Sequence, residues 1–236
     1  MIDDTAPDTS ALPAQEDAAS ASPSATSRAY QVLKQDIISG TLKPGTKLKI
    51  EKLRHAYDVG SSPIREALSL LTSDHFVERI DQRGFRVSQV SQQEFSELLK
   101  TRCWLEERAL RESIANGAQD WEEKVLLANY RLSRIPRSKA SDTFVANETW
   151  EQAHKDFHMS LLAQCGSTML LKFCGQLYDQ NVRYRQLSGS SAYPRREIAD
   201  EHNAICEAVL ARDADLACLR LLDHYKRTSS FLADRL

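Results

Sequence analysis

The sequence predicts a mainly α-helical protein, built as a small head of three helices and a β-hairpin followed by an all-α helical bundle. Three observations predict it. Apolar residues recur at the three-and-four spacing of a helix through most of the chain beyond residue 28. Two short runs, FVERI and FRVSQV, flank Asp81-Gln82-Arg83-Gly84, a turn of the kind that closes hairpins. Everything after Ser91 keeps the helical period.

The chain has 236 residues, 42% hydrophobic and 27% charged, enough for one or two domains with their own cores. No apolar run approaches the ~20 residues that a membrane span needs, so no membrane partner is expected. Residues 1–27 are mostly Ala, Ser, Asp, Pro and Thr, have little to bury, and are expected to form a disordered tail. That tail has neither the basic start nor the apolar stretch of a signal peptide, and a cytoplasmic protein is expected. The five cysteines (Cys103, Cys165, Cys174, Cys206, Cys218) are odd in number, widely spaced and without a CxxC pair. They read as reduced core residues.

Ala29, Tyr30, Leu33, Ile37 and Ile38 share one face of a first helix, and Gly40 closes it. The Pro44-Gly45 turn leads to a second helix over 50–59, with Leu53, Ala56 and Tyr57 inward and Gly60 ending it. Ser62 is placed as N-cap of a third helix, with Pro63 at its first position and Ile64, Ala67, Leu68 and Leu71 buried. After the hairpin, Ser91-Gln92-Gln93-Glu94 is a capping box that opens a helix running to Asn116-Gly117. Further helices are predicted over 120–134, 142–165, 168–188, 195–212 and 214–233, with Ser167 capping the one at 168. The expected division is a tail at 1–27, a head at 28–91 and a bundle at 92–236.

A helix, a glycine-containing turn, a second helix with a polar exposed face and then a hairpin make a winged helix-turn-helix. The second helix of such a pair enters the DNA major groove, and the hairpin tip meets the backbone or minor groove. Here that helix offers Ser61, Ser62 and Arg65 near its start, and the tip offers Arg83 and Gly84. Glycine at the tip allows close approach to a sugar-phosphate wall. Charge agrees with this reading. Residues 1–27 hold five acids and no Lys or Arg, whereas residues 28–91 hold eleven Lys and Arg against seven Asp and Glu. The bland alternative pairs Arg65 with Glu66 or Glu51 and leaves the hairpin a plain strand pair.

The stretch LKPGTKLKIEKLRHAYDVGSSPIREALSLLTSDHFVERIDQRGFRV resembles the winged helix-turn-helix of the GntR transcription regulators, through PIREAL, the hydrophobic helix end and the RGF wing tip. The bundle behind it resembles the FCD ligand-binding domain of the FadR subfamily, so the likeness spans about residues 28–232. The resemblance implies a repressor of a metabolic operon, bound to double-stranded operator DNA and controlled by a small organic acid. A homodimer is expected, because such proteins read palindromes with two-fold symmetry. The recognition contacts of the family fall on Ser61, Ser62 and Arg65, and its wing contact on Arg83-Gly84. The chain departs from the family at Ser61, where arginine is usual, and at Glu51, whose charge repels phosphate. Lys49, Lys52 or Arg54 are expected to supply that cation instead.

Four of the six histidines lie in the last third of the chain. His154 and His158 are spaced i and i+4 on a face shared with Trp150, Leu161 and Cys165. His202 lies between Ile198, Ile205 and Val209, and His224 shares a stripe with Ala217 and Leu221. Three helices thus aim four imidazoles inward. Buried imidazoles are costly unless satisfied together, and facing helices with three or four such ligands build sites for Zn²⁺, with Ni²⁺ as the alternative. The resemblance adds a pattern. The metal-binding branch of the FCD family carries an Asp, a His four residues later and two His from the last two helices. His158, His202 and His224 match, and His154 stands at the Asp position. Asp156 does not replace it, since two residues along a helix turn it about 200° away.

Arg102 lies on the inner face made by Phe95, Leu98, Leu99, Leu105 and Ala109. Two readings stay open: an ion pair with Glu106 one turn on, or a carboxylate clamp shared with the metal. Asn181, Tyr184 and Arg185 could add polar contacts to such an effector, while Trp150, Phe157 and Phe173 read as core. Two other functions fit such a cluster: a regulator whose signal is the metal ion itself, and a histidine-metal hydrolase. Against the hydrolase, the HxxxH encloses Lys155, Asp156 and Phe157, with no glutamate to act as general base.

Overall fold

The computed structural model describes residues 23–188 and 197–233; the tail expected at 1–27 lies outside the described residues up to residue 22. Ser24 accepts the backbone N–H of Ser27 at 3.1 Å and starts α1 (Ala25–Ile38), three residues before the Arg28 that periodicity suggested. A serine cap needs no apolar pattern, which is why periodicity alone misses it. The rest of the head is β1 (Lys47–Leu48), α2 (Ile50–Tyr57), α3 (Ser61–Ser73), β2 (Val77–Ile80) and β3 (Gly84–Val87).

The hairpin reading of β2 and β3 corresponds to an antiparallel pair, Val77 opposite Val87 and Ile80 opposite Gly84. β1 adds a strand on the far side of β3, with Leu48 opposite Phe85, and gives the sheet order β1-β3-β2. Two residues carry no period, so this strand was invisible in the sequence. Gly84 sits at φ +88°, a left-handed conformation that glycine adopts without strain.

The junction of α2 and α3 differs from expectation in three ways. Asp58, in the left-handed region at φ 49°, ends α2; its short polar side chain lets Asp enter that region more readily than most residues. Gly60 is then the N-cap of α3, and Ser62 is the second helical residue rather than the cap. Ala56 is exposed, leaving Leu53 as the buried residue of this short helix. Leu33, Ile64, Leu68 and Leu71 are wholly buried at the centre of the head, each worth about 1.5–3 kcal/mol of burial.

Among the described residues six helices follow: α4 (Gln92–Asn116), α5 (Gln119–Ser133), α6 (Glu148–Leu162), α7 (Thr168–Ser188), α8 (Ile198–Leu210) and α9 (Ala214–Ala233). The Ser91 hydroxyl accepts the Glu94 N–H at 3.2 Å, and the Ser167 hydroxyl accepts the Leu170 N–H at 3.1 Å. α6 begins six residues later than the expected 142, because Ser138 organises the preceding loop and Asn147 supplies the cap. Gly117 closes α4 for lack of space: a Cβ there would lie 2.0 Å from Trp121. Phe173, expected in the core, is half exposed beside Met169 on the outer stripe of α7. Head and bundle have separate apolar cores, with Phe95, Leu98 and Tyr184 forming a third small cluster near their junction.

Candidate DNA-reading head and metal centre

Ser61, Ser62 and Arg65 lie on the first turns of α3, with Ser62 and Arg65 exposed. Ser62 donates to Glu66 at 3.1 Å, and Glu66 also accepts from Thr26 at 2.8 Å. Glu51 pairs with Arg54 at 3.2 Å. Both acids that could have neutralised Arg65 are therefore engaged elsewhere, and Arg65 forms no ion pair among the described residues. Arg83 and Gly84 are exposed at the hairpin tip, and Lys49 is the exposed N-cap residue of α2. The Arg54–Glu51 pair is itself solvent-exposed and worth little, so a phosphate can displace the acid.

In the bundle, His154 and His158 on α6, His202 on α8 and His224 on α9 are all buried, and one ligand atom from each lies within 4.8 Å of the others. His154 Nε2 and His158 Nε2 are 3.2 Å apart. Four nitrogens around Zn²⁺ at 2.0–2.1 Å would be separated by about 3.3 Å in a tetrahedron, so this edge already has the required length.

Hydrogen bonds on the far side of the rings fix two tautomers. The Tyr225 hydroxyl donates to Glu106 and is 3.0 Å from His158 Nδ1. With its hydrogen committed, that oxygen accepts the Nδ1–H, and His158 Nε2 carries a lone pair. His224 Nδ1 is 2.7 Å from the Glu201 carboxylate, which can only accept, so Nδ1 carries a hydrogen and Nε2 is the nitrogen left to coordinate in the neutral ring. His154 Nδ1 meets the Tyr178 hydroxyl at 2.5 Å. Since His158 Nε2 accepts, His154 Nε2 donates to it across the 3.2 Å edge, and Tyr178 donates to His154 Nδ1.

Outer oxygen partners on ring nitrogens are what metal-ligating histidines require. Burial is the first cause that holds the His154 and His158 imidazoles neutral, far below the usual histidine range; the neighbouring imidazoles and the Arg185 and Arg102 cations add to it. Neutral imidazole is the ligand form. The donor set therefore fits a divalent ion, which His154 would hold through Nε2 with its proton on Nδ1.

The model for bacterial regulatory proteins of the gntR family matches residues 25–87, and that for the FCD domain matches residues 97–227. This chain belongs to the GntR family. As a GntR regulator with an FCD domain, it is a DNA-binding transcription regulator and not an enzyme. It is 39% identical to the HTH-type transcriptional regulator BphR of Paraburkholderia xenovorans over 193 residues, covering 82% of this chain and 78% of that one. It is 34% identical to the HTH-type transcriptional repressor GlaR of Escherichia coli over 199 residues, covering 83% and 90%. Among solved structures, E. coli McbR/YncC shares the fold with a TM-score of 0.74 at 19% identity, covering 91% of this chain and 99% of that one.

The GntR regulator's expected effector residues are scattered. Arg102 Nε binds Glu106 at 2.5 Å, both side chains 2% exposed, and its guanidinium lies 4.0 Å over the Tyr225 ring and 5.0 Å from that of Tyr178. The ion pair is thus the arrangement adopted; only Nη2 is buried without a hydrogen-bond partner. Tyr184 packs on Phe95 at 5.1 Å, beside the head, because six residues along a helix turn it about 240° from the Tyr178 face. Arg185 does share that face, pairing with Glu151 and lying 5.8 Å from the Trp150 and Tyr178 rings. Asn181 is buried on the same helix.

Sequence reasoning missed Tyr178, Tyr225 and Glu201. A faint signal existed for two of them: Glu201 precedes His202, and Tyr225 follows His224. It also missed Arg137, which with Asn129, Trp150, Ile198 and His202 lines a cavity of about 180 Å³ against the histidine cluster. Arg137 sits in the loop before α6, where no periodicity marks it. Among the described residues, no helix is long and apolar enough to cross a membrane.

Proposed function

We propose that this regulator is a homodimeric repressor of a metabolic operon, belonging to the FadR-like branch. In this reading it holds one Zn²⁺, with Ni²⁺ as the alternative, on His154, His158, His202 and His224, and a small organic acid sets its operator affinity. The observation that carries the reading is the four imidazoles gathered within 4.8 Å, with Tyr178, Tyr225 and Glu201 engaging the outer nitrogens. A divalent ion there supplies an electrophilic anchor for a carboxylate. The cavity beside His202 supports a docking place for the rest of the acid, with the Arg137 guanidinium as counter-charge. Arg102 acts from behind, through Glu106 and Tyr225 on His158, rather than on the effector itself.

The head, from α1 to β3, carries the operator contacts in this proposal: Ser61, Ser62 and Arg65 in the major groove, Arg83 and Gly84 at the wing, and Lys49 and Arg54 on the backbone. The tail, head and bundle division keeps the boundary near residue 91, with the head now starting at Ala25. The test is elemental analysis of protein purified without chelator, followed by operator binding with metal present or removed. We expect about one ion per chain, a lower melting temperature after chelation, and loss of the ion in His158→Ala/His202→Ala. Stoichiometric metal in that double variant refutes the site. A response to metal alone, indifferent to every organic acid, assigns the ion itself as signal.

A further inference from the structure

α7 is a two-sided helix. One stripe faces the metal centre: Tyr178 bonds His154, and Arg185 stacks beside it. The other stripe, Gln176, Asp179, Gln180 and Arg183, follows the i, i+3, i+4, i+7 spacing of a single helical face, and each of its members bonds the reading head. Asp179 pairs with Lys34 of α1 at 2.7 Å. Gln176 donates to the Asp74 carboxylate at 3.0 Å and Gln180 to the Asp74 carbonyl at 3.2 Å. Arg183 donates to the Ser88 carbonyl after β3.

Asp74 is the C-cap residue of α3, the recognition helix, and also accepts from Tyr30 of α1 at 2.5 Å. Asp179 has a second partner. Its other oxygen binds Lys155 at 2.6 Å, and Lys155 follows His154 on α6. The Lys155–Asp179 pair therefore runs parallel to the His154–Tyr178 bond, one step along both helices. Side-chain exposures of 15% for Asp179 and 17% for Lys34 make this a shielded pair rather than a solvated one.

We propose that α7 transmits the state of the histidine centre to the DNA-reading head, with Asp179 as the coupling residue. The inference rests on the metal reading above and adds a route to it. The seam between α7 and the head is held by these polar contacts beside the small Phe95, Leu98 and Tyr184 cluster and is bordered by clefts of about 680 and 780 Å³, while the two main apolar cores stay separate. Such a seam can open and close without exposing a core, the property a two-state joint needs. A metal held by His154 Nε2 would leave the proton on Nδ1, where the Tyr178 oxygen would accept it. The change falls one residue from Asp179, on the helix that grips both Lys34 and Asp74.

The test is amide hydrogen exchange on the full chain with and without one equivalent of Zn²⁺, with bound metal measured in the same samples. Zn²⁺ is expected to slow exchange about 5-fold or more in α1 and α3 as well as in the bundle. Asp179→Asn should keep the metal and the slowing in α6, α8 and α9 while losing most of the response in α1 and α3. Lys34→Gln, which breaks the same pair from the head side, should do the same. Stoichiometric Zn²⁺ that leaves α1 and α3 unchanged overturns the coupling alone, as does a head response equal in wild type and both variants. A wild-type chain that binds no Zn²⁺ overturns the metal reading and the coupling with it.

Discussion

The Tyr225 hydroxyl stands 3.0 Å from His158 Nδ1 and gives its own hydrogen to Glu106. One phenol thus fixes a ring tautomer at the histidine cluster and joins that cluster to a buried ion pair. Tyr225→Phe removes the acceptor while keeping the ring. We expect metal affinity to fall about 10–100-fold, the usual cost of losing such an outer partner. Competition with a chromogenic chelator measures it, and unchanged affinity rules out this role for Tyr225.

Arg102 and Glu106 are both 2% exposed, so removing one leaves a buried charge uncompensated. Arg102→Ala should destabilise the chain by about 3–5 kcal/mol. Arg102→Met/Glu106→Leu, which removes both charges and preserves volume, should recover most of that loss. Urea unfolding with metal removed decides it; an Arg102→Ala chain as stable as wild type would show that the pair contributes little.

On the reading head, Arg65→Ala should weaken operator binding by about 1–3 kcal/mol and relax sequence preference at one position. Arg83→Ala should weaken all sequences alike and lower the salt dependence by about one ion. Fluorescence anisotropy across a salt series separates the two behaviours. Equal effects on specific and random DNA for Arg65→Ala would remove it from base reading.

Burial pushes the Cys174 thiol up to about 12 and those of Cys206 and Cys218 to about 11. Native protein at pH 8 should therefore react slowly with a disulfide reagent at these three sites, and quickly once unfolded in urea. The linkage has a definite sign. Folded thiols hold their protons where unfolded ones, near 8.5, release them, so stability is intact below about pH 8.5 and declines as pH rises towards 11. Urea midpoints at pH 7.5 and 10 test this, and equal midpoints would contradict it.

The sequence by itself determined the two-part architecture, the recognition helix and the grouping of the four histidines. These rest on near-neighbour physics: a capping box at Ser91, apolar spacing along α3, and i, i+4 placement of His154 and His158 that puts both rings on one face whatever surrounds them. Only the tertiary structure decided the rest. Two-residue β1 exists because β3 offers it an edge, and Gly60 rather than Ser62 caps α3 because Asp58 has already turned the chain. Tyr184 meets Phe95 near the head, Arg102 turns to Glu106, and Arg137 arrives beside His202 from a loop. Helical spacing says which residues share a face, but not which element packs against that face. That choice is made by long-range burial, between residues as distant in sequence as Tyr225 and Glu106.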